Sequence, residues 1–520
     1  MMATTRTLLV TDGRIYRHGG DPDMPPVADM LVKGDRIAAI KPGLAAELRT
    51  AEGRARHGVD RLDTVLDARD RLVLPGFVNG HYHSHDVLLK GCFETIPLET
   101  WLLQALPPNY GRRSKAELRA RTLLGAAECL RGGITTVQDM LTLAPIDEDD
   151  LRVVMDAYAE VGIRCVFSLQ VADVGGAKGM AYWDECVPAD KKHLLSGSVN
   201  PEDRDLIEVL DDIVTRWQGQ HPRIGWALAP TSPERCSRSM LERLAGLSAK
   251  HQLPVFTHIY ESRAMTLVAR HEHADYGGSL VRYLQACGLL NERMGLAHSV
   301  WMLEEEIDLI RAAGAHVVLN PVGNLKTKSG VAPIRSYVDK GVNVSIGCDN
   351  CSCSDVQNMF QAMKLFADLA AICDPEPGRP FAADALRCAT LGGAKALQRE
   401  GELGDLEPGM LADFTLIDLT DPSYVPLNSC VRQTVFTESG RGVVAVVVGG
   451  EVVMQDRKLT TIDEAALREE VMALLPGLRA EVAAVTARVA ELEPYLAEAN
   501  RRTWRDDVGL HRYVGYPPSA

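Results

Sequence analysis

No uninterrupted apolar run of this chain approaches bilayer length, so a membrane-spanning segment is not expected. The opening, MMATTRTLLVTDGRIY, has no signal-peptide core, because only a three-residue apolar run stands before Thr11 and Asp12. A cytoplasmic protein is the expectation. No block of lysine or arginine is present and the formal net charge is −14, which leaves no basic face for phosphate contacts and excludes nucleic acid as the expected partner. A neutral or cationic small molecule fits better. Cysteine is not scarce, at twelve, but apart from Cys348, Cys351 and Cys353 the residues are scattered, with no small-scaffold disulfide framework. Reduced thiols are expected.

What is present is ordinary for a soluble enzyme, with 46% hydrophobic and 24% charged residues in 520. That length exceeds what one hydrophobic core usually serves, so a large domain with a smaller companion is expected. Residues 5 to 74 hold short β-like pieces broken by turn signals at Asp12-Gly13 and Gly34-Asp35, while 43 to 62 read as a short helix or a loop. The same grammar returns in ADFTLIDLTDP and VVAVVVGGEVVMQDRKL, where Gly449-Gly450 is a hairpin signal. The two ends, 1–74 and 400–460, are expected to pair into one small β-sandwich.

Between them, 75–399 alternates β-branched runs with helical stretches. Eight such units, from LVLPGFVN to NVSIGCD, predict an α/β protein built on a (β/α)8 TIM barrel. Its chemistry would gather at the carboxyl ends of the strands. From 461 to 520 the pattern is helical, with Val471, Leu475, Leu478, Val482, Val485, Val489, Leu492 and Leu496 in a heptad-like stripe that Pro476-Gly477 and Pro494 interrupt. This C-terminal extension reads as packing on the barrel rather than as a dimerisation coil. The chain is nonetheless expected to form a homodimer or higher homo-oligomer.

The chemistry-bearing residues fall at the expected strand ends. In PGFVNGHYHSH, residues two apart on an extended strand face the same way, so His81 and His83 aim both imidazoles at one point. His258 with Glu261, then His298, then Asp349 end later strands. Together they supply the ligand count of a catalytic metal site. His85 continues the alternation and is read as pocket-lining or solvated. A second His-x-His, His271 and His273, lies in a helical stretch where residues two apart do not share a face. The cysteines around Asp349 read as packing groups rather than ligands.

These residues, with LRGGITTVQDM, FTHIYES, LAHSV, NPVGNLKTKSGVAPI, VSIGCDN and GELGDLEPGMLADFTLIDL, resemble the amidohydrolase superfamily, in the branch of cytosine, guanine and S-adenosylhomocysteine deaminases and triazine hydrolases. The resemblance implies one divalent metal ion, zinc favoured and iron the alternative, held by His81, His83, His258 and Asp349. RIGWALAP contains no lysine that would bridge a second ion. It further implies that Asp349 accepts the proton of the attacking water, that His298 positions this water, and that Glu261 protonates a ring nitrogen. A divalent metal lowers the pKa of its bound water towards about 7. The implied reaction is hydrolytic deamination of an aminated heteroaromatic ring of purine, pyrimidine, pterin or triazine type. The alternatives are hydrolytic dechlorination, dealkylamination or amide-type hydrolysis on the same scaffold, and a non-catalytic assembly scaffold. Trp101, Thr231, Asn324 and Asn350 are candidate substrate-pocket residues. Thr231 stands where purine-type deaminases place a histidine, Asn350 follows the aspartate where glycine is usual, and Gly323 replaces a usual serine.

Overall fold

The computed structural model describes residues 6–108, 110–195, 204–373 and 376–513. The two ends of the chain meet in one mixed nine-stranded sheet. Strand Arg71–Pro75 pairs antiparallel with Phe414–Asp418, which continues through Val443–Val448 to Glu451–Gln455. Alternation along Thr7–Ile15 sends Leu8 and Val10 into a cluster with Met30, Val73 and Phe414, and Leu9 to the other face against Leu44 and Leu48. That second face is covered by the short helices Leu44–Leu48 and Ala51–Arg56, which settles the open reading of 43 to 62 in favour of helix.

Gly449-Gly450 makes the expected two-residue hairpin, both residues left-handed at φ 54° and 72°. Gly34-Asp35 likewise joins Val27–Lys33 to Arg36–Lys41. Asp12-Gly13 is no turn but a bulge inside Thr7–Ile15, where the register with the next strand shifts between Val10 and Gly13. Its cause is local: Asp12 adopts φ 58° and donates its N–H to Asp29 Oδ1 at 2.9 Å, while a Cβ on Gly13 would lie 2.8 Å from Val73 Cγ2.

The middle of the chain alternates parallel strands with helices. One parallel sheet runs Ala229–Pro230, Arg164–Val171, Ile134–Leu141, Phe77–His83, Asp349–Asn350, with Ile224–Trp226 also beside Arg164–Val171. A second runs Val255–Ile259, Met294–His298, His316–Leu319, Asn343–Ile346. Strand burial is nearly continuous, as in Ile134–Leu141, where all eight residues are buried. That is the expectation for parallel sheets with both faces buried. The mixed sheet is clamped to this body by a bidentate pair, Arg164 Nε and Nη2 donating to Asp413 Oδ2 and Oδ1 at 2.8 and 3.0 Å, with both side chains buried.

Helix Glu464–Ala490 runs unbroken through Pro476, against the expected interruption, and Pro494 sits in the first turn of the next helix, Glu493–Thr503. Pro476, Gly477 and Met472 are exposed, so water can satisfy the carbonyl that the proline leaves free. Val489, Leu492 and Leu496 pack with Leu103, Met180, Val187 and Leu195. The extension therefore lies against the segments that follow the first and third parallel strands. Residues 514–520 of its arm lie outside the described residues. No helix among the described residues is long and apolar enough to cross a membrane.

Candidate metal centre

Four imidazoles and one carboxylate meet where the parallel strands end. Among the described residues, His81, His83 and His258 form one group, and His81, His298 and Asp349 another, with a candidate ligand atom from each member inside 4.8 Å of the others. His83 Nε2 lies 3.1 Å from His81 Nε2 and 3.3 Å from His258 Nε2. Asp349 Oδ1 faces His81 Nε2 at 3.4 Å and His83 Nε2 at 3.5 Å. Nitrogens around one tetrahedral ion, each about 2.0–2.1 Å from it, stand about 3.3–3.4 Å apart, which is the spacing seen.

The donor set is prepared for a cation. His83 Nδ1–H donates to Met140 O at 2.6 Å and His258 Nδ1–H to Thr231 O at 2.5 Å, which turns both Nε2 lone pairs inward. Burial, and then the neighbouring His81, hold His83 and His258 well below the usual imidazole range, so both stay neutral. Burial works to raise the Asp349 carboxyl, but His298, His81 and His83 outweigh it and keep it ionised. Asp349 Oδ1 is buried without a hydrogen-bond partner among the described residues. A bound cation would satisfy this otherwise costly arrangement. The residues therefore fit one divalent ion.

The backbone is bent at these positions. His298 and Asp349 adopt φ 68° and 65°, left-handed values that are costly for residues other than glycine and asparagine and that turn each side chain out of its strand line. Gly323 packs against the result, since a Cβ there would stand 2.7 Å from Asp349 Oδ2 and 3.2 Å from Cys353 Sγ. Glu261 Oε2 lies 3.3 Å from His298 Nε2. Burial and then Asp349 push the Glu261 carboxyl well above its usual range, while burial pulls His298 down to about 4. His298 Nδ1–H donates to Asn324 Oδ1 at 2.8 Å, leaving Nε2 as an acceptor for a protonated Glu261.

The four candidate pocket residues sit close to this group in different ways. Thr231 contributes its main-chain carbonyl to His258, and Asn324 orients His298. Asn350 places its amide 3.3 Å from His85 Nε2, while His85 Nδ1 accepts from Thr142 N at 3.2 Å. Trp101 is buried with Phe93, Leu98 and Cys353, its indole N–H bonded to Ser352 Oγ at 3.0 Å. His271 and His273 are not brought to the group. All twelve cysteines are free thiols. Those at 348, 351 and 353 are buried and pushed up by burial, so they are neutral packing groups, with the Cys353 thiol 3.5 Å from Asp349 Oδ2.

Sequence reasoning missed the buried groups that hold the ligand loops. Asp139 accepts from Ser84 N, Ser84 Oγ and Tyr158 OH at 3.0, 2.7 and 2.7 Å, fixing the residue after His83. Asp86 accepts from Cys351 N and Ser352 N, both at 3.0 Å, and Gln357 donates to Asp349 O at 2.8 Å. The signal was a lone carboxylate in an apolar strand, as in TTVQDM, since a buried charge needs several donors.

Comparison with known proteins agrees with this geometry. The model of the "Amidohydrolase family" matches residues 72–453. The 5-methylthioadenosine/S-adenosylhomocysteine deaminase of Syntrophobacter fumaroxidans is 30% identical over 476 residues, 91% of this chain and 98% of that protein. A zinc-bound adenosine deaminase from Xanthomonas campestris superposes with a TM-score of 0.77 at 26% identity, covering 91% of this chain and 98% of its own. A zinc complex of atrazine chlorohydrolase from Arthrobacter aurescens shares the fold, with a TM-score of 0.77 at 24% identity, covering 90% of this chain and all of its own. With the family match spanning most of the chain and enclosing every residue of the histidine and aspartate group, the chain belongs to the amidohydrolase family.

Proposed function

We propose that this chain is a metal-dependent aminohydrolase that removes an amino group from a heteroaromatic ring of purine, pyrimidine, pterin or triazine type, acting on a C–N bond other than a peptide bond. The observation that carries the reading is the meeting of His81, His83, His258 and Asp349 beside a Glu261–His298 pair. The deaminase relatives favour a purine among these rings. A (β/α)8 barrel is supported by two links between the parallel sheets. Leu228 bridges to Val255, and Asn343–Ile346 leads within three residues to Asp349–Asn350 beside Phe77–His83.

In this reading His81, His83, His258 and Asp349 hold one divalent ion, zinc by analogy with the zinc-bound structural relative. Bound there, such an ion would lower the pKa of a water towards about 7. Asp349 accepts that water's proton, and His298, fixed by Asn324, orients the water toward the ring carbon. Glu261, kept protonated by burial, delivers its proton to the ring nitrogen beside that carbon, so the ring takes up charge without an unstable anion. Asp349 then passes its proton to the departing amine, which leaves as ammonia while the hydroxyl of the adduct becomes the ring carbonyl and its proton returns to Glu261.

The test is ammonia release by metal-loaded enzyme over a panel of aminated purines, pyrimidines, pterins and triazines, with Glu261→Gln beside the wild type. Ammonia from at least one ring class, lost on Glu261→Gln with metal retained, is the expected result. Release of chloride or alkylamine without ammonia would overturn the deaminase reading, and unchanged turnover by Glu261→Gln would overturn the role of the acid.

A further inference from the structure

The turn that carries His298 is strained. His298 and Ser299 are successive left-handed residues, at φ 68° and 47°, a backbone that costs energy outside glycine and persists only where the surroundings enforce it. On the side of the metal centre the enforcement is main-chain: Ser299 N donates to Ile259 O at 3.1 Å, and Val300 N and Trp301 N donate to Tyr260 O at 3.1 and 3.0 Å. The turn is thereby bonded to the two residues before Glu261. From helix Ile334–Asp339, Tyr337 OH donates to Ser299 O at 2.7 Å.

A further hold comes from the far end of the chain, beyond residue 453, where the family match stops. Arg512 donates Nε to Val300 O at 3.0 Å and Nη2 to Met302 O at 2.6 Å. Val300 and Met302 are fully buried, so the guanidinium fork stands where water would otherwise have to satisfy their carbonyls. Arg512 is itself fixed. Val331 N donates to Arg512 O at 2.6 Å, and Gly330, at φ 114°, lacks the Cβ that would stand 2.7 Å from that oxygen. The rings of Trp504 and Tyr513 are centred 6.5 and 6.0 Å from that of Trp301, and Arg263 Nε donates to Thr503 O at 2.9 Å.

We propose that Arg512 is a positioning residue of the deaminase: by closing the carbonyls of Val300 and Met302 it keeps His298 in the left-handed backbone that aims Nε2. The proposal rests on the role given above to His298 and names what holds that residue in place. The imidazole is tied at Nδ1 to Asn324 Oδ1 at 2.8 Å, and Nε2 faces Glu261 Oε2 at 3.3 Å. A shift of the turn moves Nε2 against both Glu261 and the water it orients. Arg512 acts on the chemistry through His298.

Arg512→Ala and Arg512→Lys are compared with wild type as full-length, zinc-loaded proteins, on the ring of the panel above that wild type deaminates fastest. Misplacement of a reacting group by about 1 Å costs up to about a hundredfold in rate, so kcat per bound zinc should fall roughly ten- to a hundredfold in Arg512→Ala, with KM unchanged. Arg512→Lys keeps the charge without the fork and carries the same comparison if the alanine variant does not fold. Wild-type kcat, or a loss that appears only in KM, would overturn the proposal. Hydrogen exchange followed by mass spectrometry reads the turn without any substrate. The amides of Ser299, Val300 and Trp301 should lose protection in the variant while strand Thr7–Ile15 of the mixed sheet keeps it; unchanged protection at the turn would overturn the proposal. If wild type releases no ammonia from any ring, the deaminase reading falls, and exchange alone decides whether Arg512 holds the turn.

Discussion

Gly323→Ser installs the serine that the sequence resemblance leads one to expect at this place, and the structure expects it to damage the metal centre. A Cβ on Gly323 would stand 2.7 Å from Asp349 Oδ2 and 3.2 Å from Cys353 Sγ, both closer than ordinary van der Waals contact. Asp349 has little freedom to yield. Its backbone is held left-handed, Gln357 binds its carbonyl at 2.8 Å, and Oδ1 faces His81 and His83. The strain falls on the carboxylate that is to hold the ion. Overpacking of this kind costs about 1–3 kcal/mol, or roughly five- to 150-fold in an equilibrium constant. The assay is competition for zinc against a chelator of known affinity, run on wild type, Gly323→Ser and Gly323→Ala. Both variants should bind zinc more weakly, with Cys353→Ala partly rescuing Gly323→Ala by freeing space. Wild-type zinc affinity in both variants would refute the argument that the departure at Gly323 fits the carboxylate.

His316, buried away from the metal group, predicts an acid limb of stability. Its Nε2–H donates to Glu292 O at 2.9 Å and Nδ1 accepts from Asn343 Nδ2 at 3.1 Å, while the second Asn343 amide hydrogen serves Gly392 O at 3.0 Å. Burial lowers its pKa from 6.5 to about 4, so the unfolded chain takes up the proton first. The stabilisation is whole above about pH 6.5 and is lost as pH falls towards 4, to a limit of about 3 kcal/mol. Melting temperatures across that window should drop less steeply in Asn343→Asp than in wild type; equal slopes would contradict the assignment. Arg164→Met strands Asp413 in the interface between the mixed and parallel sheets and should cost about 3–5 kcal/mol in denaturant unfolding, more than Arg164→Met with Asp413→Asn. A double variant no more stable than the single would count against this buried pair. Asp139→Asn offers an amide N–H where Ser84 and Tyr158 both donate, and should weaken zinc binding about tenfold or more with the fold retained by circular dichroism.

The alternating histidines were legible because a strand repeats every two residues, and the strand ends because β-branched runs stop at polar residues. The Gly449-Gly450 hairpin was legible for its left-handed requirement. Other features depend on partners distant in sequence. Asp12-Gly13 reads as a turn until Asp29 and Val73 are seen to shape it into a bulge. Pro476 reads as a helix stop until its surroundings prove to be solvent. The Thr231 carbonyl meets His258 through a main-chain contact that residue type does not encode. The partners of Asp139, Asp86 and Gln357 were invisible for the same reason, although the lone carboxylate of TTVQDM marked Asp139 as a buried charge in need of donors.

Zinc per chain, measured by elemental analysis after dialysis against metal-free buffer, tests the central claim most directly. The account predicts one zinc per chain in wild type, lost on His83→Ala or His258→Ala and kept in Glu261→Gln. Two ions per chain, or one retained when either histidine is removed, would contradict a single centre built by His81, His83, His258 and Asp349.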